Sequence, residues 1–392
     1  MSISYEFIAP RRILFGWGRR REVGSLGRTL GRRAFLLPGS RTLVQQGQVA
    51  EIAEHLRREQ VEPIVLDTLS HEPEVADVDR TSQEVRRHGP SGEDFLLAVG
   101  GGASIDLAKA VAAMATNTES PTVRDYLEGV GKGLRLDRAP LPVLAMPTTA
   151  GTGTEATKNA VISSYDPPFK KSLRDERIAP TLALVDPELS VSCPAEVTAA
   201  SGMDAITQLF ESYLSRKAQP IPQALAIQGL QMAIPALPEA VRDGGARPSR
   251  ERMAHAALLS GMALANSGLG MAHGVAPALG VHCRVPHGVA CALMLPVALR
   301  VNRDARREEL ALLAHVLFPR EATGEADRAI DVLLEHIDVL CREVGTSRRL
   351  RELGVRADQI PAIVAGSRGS SMSGNPVELS DERLTRILEE IL

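Results

Sequence analysis

The sequence has no long apolar run and no cysteine framework. No stretch of about 18 apolar residues lacks a charge or a turn signal, so we expect no membrane span. The N-terminal segment MSISYEFIAPRR has no apolar core, which predicts that no signal peptide is present. The four cysteines form no CxxC pair and are too few in 392 residues for a disulfide framework. We therefore expect reduced thiols and a cytoplasmic location.

The sequence also has no excess of charge of either sign. Its 45 Lys and Arg residues nearly balance its 48 Asp and Glu residues, which leaves a formal net charge of -3. Because the basic character of a nucleic-acid-binding protein is missing, we expect no nucleic-acid partner. Apolar residues make up 44% and charged residues 24%, a composition typical of globular proteins. Disordered and collagen-like chains are thereby excluded, and the length predicts two or three domains.

The first half of the sequence alternates strand-like and helix-like segments. Short apolar runs typical of buried strands occur at 32–39, 61–67, 94–102 and 140–149. Helix-like segments lie between these runs, at 46–59, 74–88 and 104–116. Strands that alternate with helices predict a parallel sheet with helices on both of its faces.

The second half reads almost wholly as helix from about residue 194 onward. Runs rich in Ala, Leu, Glu and Arg occur at 195–216, 222–241, 249–265, 287–302, 305–318, 325–344 and 381–391. We therefore predict an α/β nucleotide-binding domain over residues 1–190 and an all-helical domain over residues 191–392. The cleft between two such domains is the expected place for a ligand.

A glycine-rich turn, AVGGGASIDLAKA at 98–110, is the first segment that indicates chemistry. Ser104 is the predicted N-cap of the following helix, and Asp106 is the acidic residue of its first turn. Glycines let the backbone approach a phosphate closely, and a helix N-terminus offers free N–H groups. Because the motif is not GxGxxG, a tight turn without a ligand is the alternative interpretation.

A second loop, MPTTAGTGTEAT at 146–157, also follows a strand-like run. Its hydroxyl groups and glycines are suited to holding a phosphate and a ribose, although an ordinary polar connection has a similar composition. Two such loops in the same α/β half favour a dinucleotide ligand more strongly than either loop does alone.

Acidic, amide and imidazole side chains recur in the helical half. Asp204, Gln208 and Glu211 are spaced i, i+4 and i+7, so they lie on one face of a helix. Further along the chain lie His273, His282 and His287. An acid and two histidines on helices of one domain are able to bind a divalent metal such as Fe²⁺ or Zn²⁺. Scattered residues of these types are more often structural, so both interpretations stay open.

Several ordered segments carry a resemblance to a known family. They are FIAPRRILFGWG (7–18), GGGASIDLAK (100–109), PTTAGTGTEATK (147–158), ALVDPEL (183–189), the D-x6-E helix at 204–211, GLGMAHG (268–274), VPHGVACALMLP (285–296) and Asn375–Pro376. Over nearly its whole length the sequence resembles the iron-containing (group III) alcohol dehydrogenase family. The resemblance implies a Rossmann-like α/β domain followed by a helical domain, an architecture shared with dehydroquinate synthase.

The resemblance also implies an activity and its cofactors. Members transfer a hydride between NAD(P) and a small alcohol or aldehyde, with a divalent metal such as Fe²⁺ or Zn²⁺ in the interdomain cleft. They are dimers or larger, which favours a homodimer here. The implied cofactor-binding residues are Gly101, Gly102 and Ser104 at the pyrophosphate, with Asp106 in the same turn, Thr148, Thr149 and Thr152 along the phosphates and nicotinamide, and Lys158 at the ribose.

The turn after the strand at 32–39 departs from NAD-preferring relatives. Where those relatives carry an aspartate, this chain has Gly39 and Ser40, followed by Arg41. An acid at this place would hydrogen-bond the adenosine ribose and repel a 2′-phosphate. Because the acid is missing and a cation follows, we expect NADP to be accepted at least as well as NAD.

The metal ligands depart from the family pattern at one position. Asp204, His273 and His287 match three of the family's four metal ligands, whereas Gln208 stands where the family has a histidine. An amide oxygen is a weaker and harder donor than imidazole. The resemblance therefore implies weaker metal binding, and the alternative is a degenerate site that holds no metal.

The catalytic residues are affected by a second departure. Pro277 stands where the family has another histidine, close to the nicotinamide and the substrate. His282 and His287 are the candidate catalytic residues. Because Pro277 replaces a histidine that would relay a proton, His282 is a candidate for that role. Cys283 and His282 are also candidates to compensate for Gln208 because they lie near His287 in sequence.

Other activities stay open beside alcohol dehydrogenation or aldehyde reduction. They are a maleylacetate-type reductase, a metal-free reductase of activated substrates, and a catalytically degenerate nucleotide-binding protein. A sugar-phosphate cyclase of the dehydroquinate synthase type is less favoured, because the helical half lacks a phosphate site rich in Lys and Arg.

Overall fold

The computed structural model describes residues 4–392, so the first three residues of the N-terminal segment lie outside it. The chain forms two compact units. The α/β unit contains residues 8–149 and 153–192. The helical unit contains residues 193–392 together with 4–7 and 150–152, two segments that the predicted boundary assigned to the other domain. Within the described part of the chain, no helix combines the length and apolar character needed to cross a bilayer.

The α/β unit is built on a parallel sheet. The strands of this unit are β1 (Arg12–Phe15), β2 (Arg33–Pro38), β3 (Glu62–Val65), β4 (Asp94–Gly100), β5 (Val143–Pro147), β6 (Asn159–Tyr165), β7 (Pro168–Arg174) and β8 (Leu182–Val185). Six of them form one sheet in the order β1-β8-β5-β4-β2-β3, and all of its paired neighbours run parallel. β6 and β7 form an antiparallel hairpin. The predicted parallel sheet is confirmed.

Helices cover both faces of this sheet, as the alternation of segments predicted. They are α1 (Val23–Leu30), α2 (Arg41–Gln45), α3 (Gln48–Arg58), α4 (Val75–Arg87) and α5 (Gly102–Thr116). Leu36 of β2 and Leu97 of β4 pack in one core with α1 and α3. Phe35 and Leu96, one residue earlier on each strand, pack in a second core with α4 and α5. Successive strand residues point to opposite faces, so the continuous apolar runs reflect burial on both sides.

The helical unit, over its described residues, contains all seven helices that the sequence indicated for it, and two further α-helices. Its helices are α6 (Ala195–Leu214), α7 (Pro220–Arg242), α8 (Arg247–Ser267), α9 (Met271–Cys283), α10 (His287–Val301), α11 (Arg307–Leu317), α12 (Ala326–Glu343), α13 (Ile360–Gly366) and α14 (Asp381–Glu390). The predicted helices are confirmed with small differences at their ends. The sequence analysis missed α9 because two glycines and Pro277 lower its helix propensity.

Lys109 on α5 is a buried cation that ties the loop after β5 to this helix. Its Nζ donates to the hydroxyl of Thr154 at 2.8 Å and to that of Thr157 at 3.0 Å, and it pairs with Asp106 Oδ1 at 3.0 Å. Asp106 also accepts from the Thr154 hydroxyl and, at 3.1 Å, from the backbone N–H of Val161 on β6. The loop and the hairpin are therefore held by one buried ion pair.

α5 begins two residues earlier than the sequence analysis predicted. Gly101 is its N-cap and Gly102 its first residue. Ser104 therefore lies within the first turn, where its hydroxyl donates to the Gly101 carbonyl at 3.0 Å. Asp106 lies beyond the first turn. The predictions of Ser104 as N-cap and of Asp106 as a first-turn acid were wrong, because the glycine run itself enters the helix.

Glu155, which follows Thr154, is buried close to Lys109. Burial raises the pKa of Glu155 from 4.5 to about 7, although a backbone hydrogen bond and the charge of Lys109 act in the opposite direction. Burial also lowers the pKa of Lys109, against the attraction of Asp106. The loop therefore contains a carboxyl group that titrates near neutral pH.

Replacing Glu155 by Gln is expected to stabilise the protein increasingly as pH rises. Between 4.5 and about 7 the unfolded chain has released a proton that the folded chain retains. The wild-type free energy of unfolding then falls by up to about 1.4 kcal/mol per pH unit, and the neutral variant escapes this loss. The unfolding temperature of the variant minus that of the wild type should rise up to about pH 7 and then level off.

Thermal unfolding at a series of pH values measures this difference. Glu54→Gln, at an exposed position of α3, is the matched control and should show no such rise. A difference for Glu155→Gln that does not change with pH would contradict the interpretation.

Candidate functional site

The carboxyl ends of β2, β4 and β5 lie side by side at one edge of the sheet. At Gly39 the backbones approach too closely for a residue other than glycine. A Cβ atom added to Gly39, after β2, would lie 2.6 Å from the Cα atom of Gly100 at the end of β4. A Cβ atom added to Gly101 would lie 3.2 Å from the hydroxyl oxygen of Thr149, after β5. The backbone N–H of Thr148 donates to the Gly100 carbonyl at 3.0 Å. Backbone therefore packs against backbone here, which leaves peptide groups rather than side chains at the edge.

This edge coincides with the place where the strand order reverses. From β2 the chain continues to β3 on one side, whereas from β4 it continues to β5 on the other side. Open α/β sheets bind nucleotides outside the carboxyl ends of their strands at such a point. α5 begins at the same edge, so its N-terminal N–H groups and dipole are available to a phosphate.

Most of the predicted cofactor residues adjoin this edge. They are Gly39, Gly101, Gly102, Ser104, Thr148 and Thr149. The hydroxyl of Ser40 accepts from the backbone N–H of Leu43 at 3.3 Å and so caps α2. Arg41 is the first residue of α2 and its side chain is exposed.

Three predicted cofactor residues make other contacts. The carboxylate of Asp106 is engaged with Lys109. Thr152 belongs to the segment 150–152 of the helical unit. In this segment, a Cβ atom added to Gly151 would lie only 2.7 Å from the side chain of Ser201. The Nζ atom of Lys158 is 3.9 Å from the carboxylate of Glu176. Of the three, Asp106 is the one whose contacts oppose the prediction, because its carboxylate is buried and already paired.

Three helices of the helical unit bring four potential metal ligands together. α6 contributes Asp204, α9 contributes His273, and α10 contributes His287 and Cys291. One donor atom of each residue lies within 4.8 Å of all the others. His273 Nε2 is 3.0 Å from Asp204 Oδ1, and His287 Nε2 is 3.7 Å from the same oxygen. The His287 side chain is 24% exposed while the other three are buried, so the cluster is accessible from the His287 side.

Glu211 holds His273 from the side that faces away from this cluster. Its carboxylate accepts from Nδ1 of His273 at 2.7 Å and from the backbone N–H groups of Ala272 and His273 at 2.6 and 3.3 Å. α9 begins at Met271, so this carboxylate lies at the helix N-terminus, where negative charge is stabilised. The Nδ1 hydrogen bond leaves Nε2 as an acceptor that points into the cluster, as in carboxylate–histidine–metal arrangements.

The electrostatics of the cluster require a cation at its centre. When Nδ1 of His273 donates to Glu211, its Nε2 lone pair and the Asp204 carboxylate are two acceptors 3.0 Å apart. Burial lowers the pKa of His273, but Cys291, Asp204 and Glu211 together raise it well above 6.5, so the surroundings favour positive charge at this point. Burial acts to raise the pKa of Asp204, but His287 and His273 outweigh this effect and lower it.

The same geometry fits a divalent metal ion. A tetrahedral ion with bonds of about 2.0–2.3 Å separates its donor atoms by roughly 3.3–3.8 Å. The contact of Asp204 Oδ1 with His287 Nε2, at 3.7 Å, lies within this range, and its contact with His273 Nε2, at 3.0 Å, lies just below it. Carboxylate and imidazole donors of this kind suit Zn²⁺ and Fe²⁺. The residues present therefore fit the metal that the sequence predicted.

Gln208 and His282, two further predicted site residues, make other contacts. Gln208 Oε1 accepts from the hydroxyl of Ser260 on α8 at 2.9 Å. His282 lies nine residues after His273, which is two and a half helical turns, so it occupies the opposite face of α9. Its ring contacts Gly366 of α13, where an added Cβ would be 3.3 Å from Nε2. The structure does not bring His282 into the cluster, because the helical period directs it away.

Cys291 is the member of the cluster that the sequence analysis missed. It lies four residues after His287 in HGVAC, at the start of α10. The same i, i+4 spacing relates Asp204 to Gln208 and places two side chains on one helix face. This spacing was the available signal, whereas proximity in sequence to His287 pointed to Cys283 instead.

Comparison with known proteins agrees with this geometry. The model of the family described as iron-containing alcohol dehydrogenase matches residues 10–187, and that of its C-terminal part matches residues 198–392. The chain is 32% identical over 375 residues to lactaldehyde reductase of Escherichia coli K12, covering 95% of this chain and 96% of that protein. It is 30% identical to NAD-dependent methanol dehydrogenase of Bacillus methanolicus, covering 98% and 99%. The crystal structure of a 1,3-propanediol oxidoreductase superposes with a TM-score of 0.92 at 29% identity, covering 99% and 100%.

These matches extend over nearly the whole chain. The chain therefore belongs to the iron-containing alcohol dehydrogenase family. It is an enzyme, an NAD(P)-dependent oxidoreductase of alcohols and aldehydes. The recognition of the family and of the fold from the sequence is confirmed.

Proposed function

We propose that the enzyme interconverts a small aldehyde and its alcohol at a divalent metal site, with NADPH accepted at least as well as NADH. The observation that carries this proposal is the convergence of Asp204, His273 and His287 on one buried point, with His273 oriented by Glu211. A carboxylate beside two imidazoles, one of which is oriented by Glu211, is costly to bury without a positive charge. Their arrangement supports metal-assisted chemistry over a structural role.

The residues of the helical unit bind and orient the metal. Asp204, His273 and His287 are its proposed protein ligands, and Glu211 keeps the His273 proton on Nδ1. The bound metal supplies Lewis-acid polarisation of the substrate oxygen. The His287 side chain is 24% exposed, and at this side the substrate oxygen would join the protein ligands as an additional ligand, since a catalytic zinc ion is able to expand to five-coordinate. His282 is not suited to protonate the product, because its ring packs against Gly366.

The residues of the α/β unit bind the dinucleotide, whose nicotinamide supplies or accepts the hydride. Gly101 and Gly102 offer backbone N–H groups at the start of α5, and Ser104 stabilises that turn through the Gly101 carbonyl. Thr148 and Thr149 line the adjoining loop, and Lys158 is the proposed contact with the ribose. Asp106 acts on the cofactor only indirectly, by fixing the loop through Lys109.

Arg41 supports the proposed use of NADPH. It follows Gly39 and Ser40 at the carboxyl end of β2, next to the glycine edge, and no acid stands in this turn. An exposed guanidinium is suited to pair with a 2′-phosphate through charge-assisted hydrogen bonds. We also propose a cytoplasmic homodimer: the free thiols of all four cysteines support a reducing compartment, and the dimer rests on the family resemblance.

A panel of small aldehydes with NADPH or NADH tests the proposed activity. We expect turnover that is lost on treatment with a chelator and restored by Zn²⁺ or Fe²⁺. Asp204→Asn should lower kcat by about 100-fold or more, because a ligand that stabilises developing charge is weakened. Glu196→Gln, at an exposed position of the same helix, is the matched control and should leave kcat unchanged.

Three results would contradict the proposal. Turnover that is insensitive to chelator and to Asp204→Asn would indicate a metal-free reductase. Reduction of activated carbon–carbon double bonds, but of no aldehyde, would indicate a maleylacetate-type reductase. Cofactor binding without turnover on any aldehyde would indicate a degenerate nucleotide-binding protein.

Replacing Arg41 by Ala tests the proposed cofactor choice. The KM for NADPH should rise about 10-fold, since one hydrogen bond to a charged group is lost, while the KM for NADH should change little. Steady-state kinetics with both cofactors measure this split. Arg57→Ala, at an exposed position of α3, is the control and should change neither constant. A wild-type KM for NADPH far above that for NADH would overturn the proposal.

A further inference from the structure

Cys291 lies where a fourth metal ligand would be needed. Its Sγ atom is 3.5 Å from His273 Nε2 and 3.6 Å from His287 Nε2. The residue is fully buried on α10, one turn after His287. A tetrahedral ion bonded to sulfur at about 2.3 Å and to nitrogen at about 2.0 Å would separate these atoms by roughly 3.5 Å. Both measured separations agree with that value.

Gln208, the alternative fourth ligand, has a hydrogen-bonding contact with α8. Its Oε1 accepts from the Ser260 hydroxyl at 2.9 Å, a bond that links α6 to α8 in the core of the helical unit. The single Ser260 hydroxyl proton is shared between this amide oxygen and the carbonyl of Ala257, which lies at 2.7 Å. The amide oxygen of Gln208 therefore lies at hydrogen-bond distance from α8.

The donor chemistry also favours Cys291. A thiolate is an anionic ligand, whereas the amide oxygen of Gln208 is neutral and binds a divalent ion more weakly. A soft thiolate in place of an amide oxygen also favours Zn²⁺ over harder ions.

We propose that Cys291, as a thiolate, is the fourth protein ligand of the metal, together with Asp204, His273 and His287. This inference rests on the metal site of the proposed function and specifies its composition. Binding breaks the S–H bond of Cys291, forms a sulfur–metal bond and releases the proton to solvent, with no change of oxidation state. Gln208 then acts as a packing and hydrogen-bonding residue, and Zn²⁺ is the favoured ion.

Co²⁺ titration of metal-depleted protein tests this assignment without relying on activity. Co²⁺ adopts the same tetrahedral sites as Zn²⁺, and a thiolate ligand gives it a sulfur-to-metal charge-transfer absorption in the near ultraviolet. Wild-type protein should bind one equivalent and develop this absorption. Cys291→Ser should lose the absorption and bind Co²⁺ about 100-fold more weakly or worse, since even indirect partners of a metal ligand contribute 10–100-fold.

Two control variants separate the two possible fourth ligands. Cys341→Ser changes a buried cysteine of α12 in a different core and should retain both the absorption and the affinity. Gln208→Ala should also retain the absorption.

A second comparison is available if Cys291→Ser does not fold. It uses Cys291→Ala and the double variant that combines Cys291→Ala with Gln208→His. The double variant should regain affinity without regaining the absorption.

The outcomes distinguish the two proposals. If wild-type protein binds Co²⁺ without the sulfur absorption, or if Cys291→Ser binds Co²⁺ as tightly as wild type, the assignment of Cys291 is overturned while the metal site stands. If wild-type protein with a native circular dichroism spectrum takes up no Co²⁺, both the metal site and its fourth ligand are overturned.

Discussion

The short contact between the His273 ring and the Asp204 carboxylate is the constraint on which the helical unit depends. Both groups are buried acceptors when Nδ1 of His273 donates to Glu211, so either a proton or a metal ion is needed between them. Asp204 and Glu211 come from α6, and Glu211 also holds the first N–H groups of α9. The position of α9 relative to α6 is therefore set by the same carboxylate that orients the imidazole. Catalytic geometry and helix packing share one set of contacts.

In the α/β unit, glycines at the strand ends keep their part of the proposed phosphate site free of side chains. Gly39, Gly100 and Gly101 let three strand ends approach one another closely. The loop that follows β5 then needs an anchor of its own, and the buried pair of Lys109 and Asp106 provides it. Asp106 thus contributes to the site through the shape of the loop rather than through contact with a phosphate. A buried ion pair is well suited to such a positioning role because breaking it would leave an unpaired charge.

Much of the fold was predictable from local patterns. Continuous apolar runs predicted β2 and β4 because both of their faces are buried, and runs rich in Ala, Leu, Glu and Arg predicted α6 and α10. The strands β1, β6, β7 and β8 were missed. β1 and β8 have only four residues, and β6 and β7 contain polar or charged residues instead of a continuous apolar run. β1 pairs with β8 alone, at one edge of the sheet, so tertiary pairing rather than sequence pattern defines it.

The site was only partly predictable. The family resemblance supplied Asp204, His273 and His287, which the structure brings together. It did not supply Cys291, because the position of Sγ depends on how α10 packs against α9. Sequence proximity suggested His282, but the nine-residue separation from His273 places it on the other side of α9.

The central claim is that a metal ion occupies the point on which these side chains converge. An anomalous diffraction map, recorded at the absorption edge of the metal in crystals of the reconstituted enzyme, tests it directly. The account predicts a peak within about 2.0–2.3 Å of Asp204 Oδ1, the Nε2 atoms of His273 and His287, and Cys291 Sγ. A peak bonded to Gln208 with Cys291 outside bonding distance would contradict the assigned ligand set. The absence of any peak at this cluster would contradict the metal-centred account as a whole.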